Sequence, residues 1–294
     1  MTAASQAERD ANAIIEQQLD ARAAAVEAAA NADVLTYIGP MYPPADDAIK
    51  DALDSLTDRR ATLLCILETS GGYIETAERI ARIFRHHYSR VDFLVPNYAM
   101  SAGTILVMSG DGIYMDYAST LGPIDPQVNK GDGLVPALGY LEQYQRLVQK
   151  SAEGKLTTVE AMYFVQNFDA AELYRYEQER ELSIALLKDW LVKYKFKDWK
   201  QTETRKKTVT KKMRTDRARM IAEKLNKTGH WHSHSRGIPM EVLRRDLKLL
   251  VEDFGEDTKL APAVRDYYHL LKDYLMKRSH ETFVLHRKGF YVGF

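Results

Sequence analysis

Two strand-to-helix junctions carry the residue types that acyl transfer requires. In the stretch from Asn97 to Gly110, Ser101 stands between the short apolar segment Val91 to Pro96 and the helix-compatible run Ala102 to Met108. Its small neighbours let a reactant approach. A hydroxyl in the first turn of such a helix lies beside unpaired backbone N–H groups and the positive end of the dipole, which stabilise negative charge developing nearby. Serine is also a favoured N-cap, and that purely structural role is the competing reading. About thirty residues earlier, Glu68 to Glu75 holds Ser70, Gly71 and Gly72 between an apolar strand and an amphipathic helix. Adjacent glycines at such a turn permit positive φ and close approach of the backbone to a ligand, leaving their N–H groups free to point at an oxyanion.

Elements able to position these groups are legible around them. Thr62 to Leu67 reads as a buried strand, and Ile74, Ala77, Ile80, Ala81, Phe84 and Tyr88 recur at the spacing of one helical face. Asp33 to Ile38 looks like the first strand, followed by a Gly39-to-Pro44 turn that lines one wall of the site and a helix from Asp46 to Leu56. Gly112 to Met115 reads as a fourth strand, ahead of Leu121 to Gln127 with its Pro-Ile-Asp-Pro turn.

This order of strand, Ser70-Gly71-Gly72, helix, strand, Met100-Ser101-Ala102-Gly103, helix and strand resembles the Clp/crotonase superfamily. Within it the chain is most similar to the serine dehydrogenase proteinase family, relatives of signal peptide peptidase A and the Clp proteolytic subunit. The motifs cover about residues 33 to 130, with a looser echo from Trp231 to Phe254. The resemblance implies an α/β spiral core, Ser101 as nucleophile, and Gly71, Gly72 and Ala102 as the oxyanion hole. It also implies assembly into trimers or stacked rings. One departure stands out: where Clp subunits place a histidine base one strand and loop after the serine, this chain has Ile124 and Asp125. Asp125, framed by two prolines, reads equally as a turn former or an orienting carboxylate.

A serine hydroxyl needs a base to take its proton. Kin of signal peptide peptidase A use a lysine some fifty residues downstream, which points to Lys155 first and Lys150 second. A lysine base needs burial in an apolar pocket to lower its pKa. The runner-up is His234, within Thr228 to Gly237, where Ser233 and His234 match the family's closing Ser-His pair. His230, His232 and His234 alternate, but no carboxylate or cysteine at supporting spacing accompanies them, so no metal is expected.

Composition narrows the classes. The 294 residues balance 41 basic against 41 acidic groups, so no global field argues for nucleic acid or a membrane surface. Residues 200 to 227 hold eleven Lys or Arg against three acidic residues, read here as an amphipathic helix with a solvated or intersubunit basic face. Cys65 is the only cysteine and lies inside an apolar strand, which fits a core residue and a cytoplasmic setting. No window approaches about 18 uninterrupted apolar residues, and no apolar signal-peptide core opens the chain, so neither a membrane span nor secretion is expected.

The expected architecture is α/β: an N-terminal helix in 1–32, a Clp/crotonase-like protease domain over 33–260 with a helical insertion at about 134–227, and a C-terminal helix and tail over 261–294 that serves oligomerisation. Within the insertion, helices are expected over 134–148, 157–168 and 171–196; the tail from Thr282 to Phe294 reads as an edge strand or an intersubunit clasp. The expected function is ATP-independent hydrolysis of peptides or unfolded chains by a homo-oligomeric serine endopeptidase. No strand-linked GxGxxG is present, so no nicotinamide cofactor, nor any other, is expected. A catalytically silent scaffold and a crotonase-type acyl-CoA enzyme are the alternatives, the second disfavoured by Met100-Ser101-Ala102-Gly103.

Overall fold

In the strand Thr62–Glu68 (β2), Leu63, Cys65 and Leu67 face one core while Leu64 and Ile66 face another. A strand buried on both sides has no polar face to show, hence the unbroken apolar run. Its neighbours behave alike: Asp33–Ile38 (β1) is buried throughout, and Arg90–Leu94 (β3) after its first residue. The computed structural model describes the backbone of residues 3–124, 127–129, 134–227, 231, 236–286 and 292–293, and side chains over 11–124, 139–227, 231 and 236–286.

The central sheet has the order β10-β5-β3-β2-β1-β11-β12, where β5 is Gly112–Met115, β10 Glu252–Asp253, β11 Phe283–His286 and β12 Val292–Gly293. The strands β10, β5, β3, β2 and β1 run parallel, and β11 pairs antiparallel to β1. Helices Ala45–Asp54 (α2), Ile74–His87 (α3) and Ala102–Val107 (α4) cover one face. Helix Ala3–Ala30 (α1) and the long helix Leu260–Arg278 (α10) cover the other, with Leu19, Ala23 and Val26 of α1 fully buried there. A small second sheet of three strands has the order β4-β6-β9, with β4 Tyr98–Ala99, β6 Thr120–Leu121 and β9 Ile238–Pro239.

The helical part departs from the sequence expectation at two places. Residues 134–136 form a strand (β8, Leu134–Pro136) antiparallel to Gln127–Asn129 (β7), and the helix α5 starts only at Ala137, running to Ala152. Pro136 explains this, because the residue before a proline is pushed out of the α region. Helix α6 (Thr158–Asn167) begins at a capping box made by Thr157 and Glu160. Helix α7 (Ala170–Trp190) continues as a π-helical segment over Leu191–Lys195, so the helical stretch reaches the expected end at Phe196. The basic stretch is not one helix: residues 200–210 make a turn closed by a Gln201–Thr208 bridge, and Thr210 then caps α8 (Lys211–Leu225). Helix α9 (Met240–Asp246) follows β9.

Two hydrogen-bonded crossings fix the site's place. Thr69, just past the end of β2, donates to Tyr98 O at 3.1 Å and accepts from Met100 N at 2.9 Å. The chain leading to the glycine turn is thereby laced to the chain leading to Ser101.

Candidate active site

Ser101 has φ 50° and ψ −116°, a combination that a residue with a Cβ rarely adopts. The surrounding contacts hold it there. Met100 O accepts from Gly103 N at 2.8 Å, Ser101 O from Ile105 N at 3.2 Å, and Met100 N is tied to Thr69. The Ser101 side chain makes no capping hydrogen bond to α4, so the N-cap role is left unused and the hydroxyl is available for other work. Backbone strain of this kind costs about 1–3 kcal/mol and persists only where the neighbours over-determine it.

The neighbours do so through close approach. A Cβ built on Gly103 would fall 2.3 Å from Thr69 Cγ2, so only glycine lets α4 settle on the end of β2. Thr104 Oγ1 lies 2.8 Å from Ala99 O and 2.9 Å from Gly122 O, and accepts from Gly122 N at 2.9 Å. That buried hydroxyl stitches the serine loop to the strand beside it.

The glycine turn meets the serine directly. Gly71 has φ 98°, and a Cβ there would stand 2.8 Å from both Ser101 Cβ and Met100 O, and 3.4 Å from Ala102 N. Its carbonyl accepts from Met41 N at 2.8 Å, and Tyr73 N donates to Met41 O at 2.9 Å. These two bonds pin the turn against the loop after β1 and leave the Gly72 N–H outside that ladder. The Gly71 N–H donates to Thr69 Oγ1 at 3.0 Å. Gly72, at φ 151°, passes so close to Met41 that a Cβ would be 2.4 Å from its carbonyl oxygen. At the rim, exposed Tyr42 and Tyr73 stack edge to face with centroids 4.9 Å apart.

The candidate bases fall into different situations. Lys155 follows α5, its side chain 72% exposed and its Nζ 2.8 Å from Glu153 Oε2. Lys150 pairs with Glu160 at 2.5 Å, and Glu160 is drawn down to about 2 by Lys150 first and by Thr157. Neither lysine has the apolar enclosure a lysine base requires. His234, with His230, His232 and Ser233, lies outside the described residues, as does Asp125. Among the described residues Ser101 Oγ makes no hydrogen bond, and no group of three or more His, Cys, Asp or Glu could hold a metal ion.

The register of the small sheet relates the chain entering Ser101 to the chain entering β9. β4 and β6 are parallel with Ala99 opposite Leu121, while β9 is antiparallel with Ile238 opposite Leu121. Residues after Ala99 and residues before Ile238 therefore leave the sheet at the same end. Gly237 packs tightly on β6, since a Cβ would lie 2.8 Å from Thr120 Cβ.

Sequence reasoning missed the reverse side of the site. Glu68, the last residue of β2, is buried on the α10 face, where Lys272 Nζ reaches its Oε1 at 2.7 Å and the Tyr268 hydroxyl donates to Oε2. Burial first, and then Glu68, push the Tyr268 phenol well above its ordinary range, and its hydroxyl also meets the Asn97 side chain. One tyrosine thus touches the strand that feeds the glycine turn and the loop that feeds Ser101. A carboxylate closing an apolar strand was the available signal, but its partners stand some two hundred positions away.

The model of the ClpP-like SDH-type serine proteinases matches residues 47–210, more than half of the chain and the whole of the paired turns just described. The chain belongs to that family. Its α/β core is accordingly of the Clp-like type, with a helical majority around a central mixed sheet. Two relatives are the uncharacterized proteins MJ1495 and MJ0137 of Methanocaldococcus jannaschii, each 32% identical over 134 and 126 residues, or 44% and 40% of this chain. The matches span only 44% and 43% of those relatives' lengths. Two solved structures of mutants of the 1510-N membrane-bound stomatin-specific protease, one in complex with a substrate peptide, align at 12% and 13% identity with TM-scores of 0.42. They cover 74% of this chain and 76% and 72% of theirs. In this member of the ClpP-like SDH-type family, no helix among the described residues is long and apolar enough to cross a membrane.

Proposed function

We propose that the chain is an ATP-independent serine endopeptidase in which Ser101 attacks a peptide carbonyl and His234 accepts its proton. The observation that carries the reading is the meeting of Gly71 with Ser101 across a gap no side chain could enter, with Ala102 N beside it. The Gly72 and Ala102 N–H groups hold the tetrahedral oxyanion. Gly71, whose own N–H is engaged by Thr69, sets their spacing from the nucleophile. Collapse of the intermediate returns the proton from the base to the leaving amine, and water then hydrolyses the acyl-enzyme by the same route in reverse.

His234 is preferred over Lys155 on two grounds. It lies three positions before Gly237, a reach of about 10 Å of chain from the end of the small sheet where Ser101 emerges. Lys155, in contrast, is exposed and paired with Glu153. Substrates are peptides or unfolded segments, consistent with a half-buried serine flanked by the exposed Tyr42–Tyr73 pair. A homo-oligomer, trimer-based or ring-shaped, is part of the proposal; α6 supports it by exposing Val159, Met162, Tyr163 and Val165 while burying none of its residues. A cytoplasmic setting is supported by the single, fully buried Cys65.

The test is hydrolysis of a quenched fluorescent peptide library by the full chain and its variants across pH. Ser101→Ala is expected to lower kcat/KM at least about 1000-fold, and His234→Ala comparably, with Lys155→Ala within about twofold of the parent. The parent's rate should rise from acid toward neutral pH as the base loses its proton, and His234→Ala should lack that rise. Loss of activity in Lys155→Ala with retention in His234→Ala would reassign the base; retention in Ser101→Ala would end the peptidase reading.

A further inference from the structure

On the reverse face of the sheet, between α10 and the loops after β3 and β5, lies a cavity of about 410 Å³. Pro96, Phe254 and Val264 give it an apolar floor, Tyr117 and Tyr268 aromatic walls, and Arg265, His269 and Asp116 its charge. Arg265 and His269 stand one helical turn apart on α10 and therefore present side chains to the same side. Among the described residues neither has an ion-pair partner, although other cations of this helix, Lys272 and Lys277, do. The lining carboxylate Asp116 turns its Oδ1 into its own loop, accepting from Ala118 N, Ser119 N and Ser119 Oγ. Outside the lining, Gly255 lets its loop pack closely against Asp116 and the guanidinium. A Cβ on that residue would lie 3.4 Å from Arg265 Nη2, 3.3 Å from Asp116 Cβ and 3.0 Å from Asp253 Oδ1.

We propose that this cavity binds a monocarboxylate carried on an apolar or aromatic body. Guanidinium presents a planar fork that matches the two oxygens of a carboxylate, and His269 supplies a second donor. Phe254, Val264 and Tyr117 cover the body, and the volume suits a ligand of amino-acid to dipeptide size. The apolar and aromatic lining sets the preference over inorganic phosphate, because it covers a ligand body that phosphate lacks. Two sources share this chemistry: a free small acid, and the C-terminus of a peptide ending in an apolar residue. The site is independent of the peptidase reading and is tested without any activity assay.

Isothermal titration of the full chain with N-acetyl-leucine, N-acetyl-leucinamide, inorganic phosphate, and one peptide ending in leucine as free acid or as amide decides the matter. The acids are expected to bind at least about tenfold more tightly than their amides and than phosphate, and Arg265→Met to remove that advantage. A peptide acid about tenfold tighter than N-acetyl-leucine supports the site with a peptide terminus as ligand, and equal affinity supports it with a small acid. Equal binding of acid and amide, binding of phosphate as tight as that of the acids, unchanged affinity in Arg265→Met, or no acid binding at about 10 mM would overturn the proposal.

Discussion

Ser101 holds a conformation that works against it as a merely structural residue. With φ 50° and ψ −116° and no side-chain capping bond, the serine contributes strain and returns no helix stabilisation. Ser101→Gly should therefore raise the melting temperature, by the equivalent of about 1 kcal/mol, while Ser101→Ala leaves it nearly unchanged. A Ser101→Gly variant less stable than the parent in thermal denaturation would contradict the strain. The serine and the glycines were legible in the sequence because their chemistry is local: a turn needs Gly71 and Gly72 where φ is positive, and small residues surround a reactive hydroxyl. No local pattern singled out a base in the same way. Lys155 sat at a plausible distance along the chain, yet distance along a chain does not place an ammonium in an apolar pocket, and its charge is met by Glu153.

Among the elements, the helix α10 does more than cover the sheet. Through Tyr268 and Lys272 it grips Glu68, three residues ahead of Gly71, while Tyr268 also meets Asn97, four ahead of Ser101. Glu68→Gln keeps the shape and removes the charge that Lys272 answers, so kcat should fall roughly tenfold or more with little change in KM, the mark of misplaced catalytic groups. A pure KM effect in steady-state peptide hydrolysis would place Glu68 in substrate binding instead. Gly103→Ala should cost about 1–3 kcal/mol in chemical denaturation, because its Cβ would run into Thr69 Cγ2. Strand and helix types over 33–115 were readable from periodicity, since both-sided burial leaves continuous apolar runs. Where reading failed, a local signal had been overlooked: Pro136 set the start of α5, and Thr210 the start of α8. The tail was readable as a strand, but its place beside β1 is a long-range pairing that no local pattern encodes.

For the molecule as a whole, a buried ionic network at the opposite end of β3 and β5 governs acid stability. Asp111 is held by Lys197 at 2.5 Å, by Arg85 at 2.6 Å and by Val91 N at 2.9 Å. Burial pushes its pKa up, but Lys197, the Val91 amide and Arg85 together win and hold it below the usual carboxylate value. A depressed carboxyl contributes stability that is complete above its unfolded pKa, about 3.9, and is lost as pH falls through the folded value. Asp111→Asn should thus lower the melting temperature at pH 7 and flatten its further loss on acidification below pH ~4. The nearby Lys195 is lowered by burial, yet its neighbours Glu252, Asp92 and Asp111 tie it to this network rather than to the serine.

The central claim is that Ser101 is an activated nucleophile beside two converging amide donors. It is tested most directly by reacting the full chain with a fluorophosphonate, whose fluoride the serine oxygen displaces, and mapping the adduct by peptide mass spectrometry. The account predicts a single adduct on Ser101, absent from Ser101→Ala and strongly slowed in His234→Ala. An adduct on another residue, or none at all from folded protein, would contradict it.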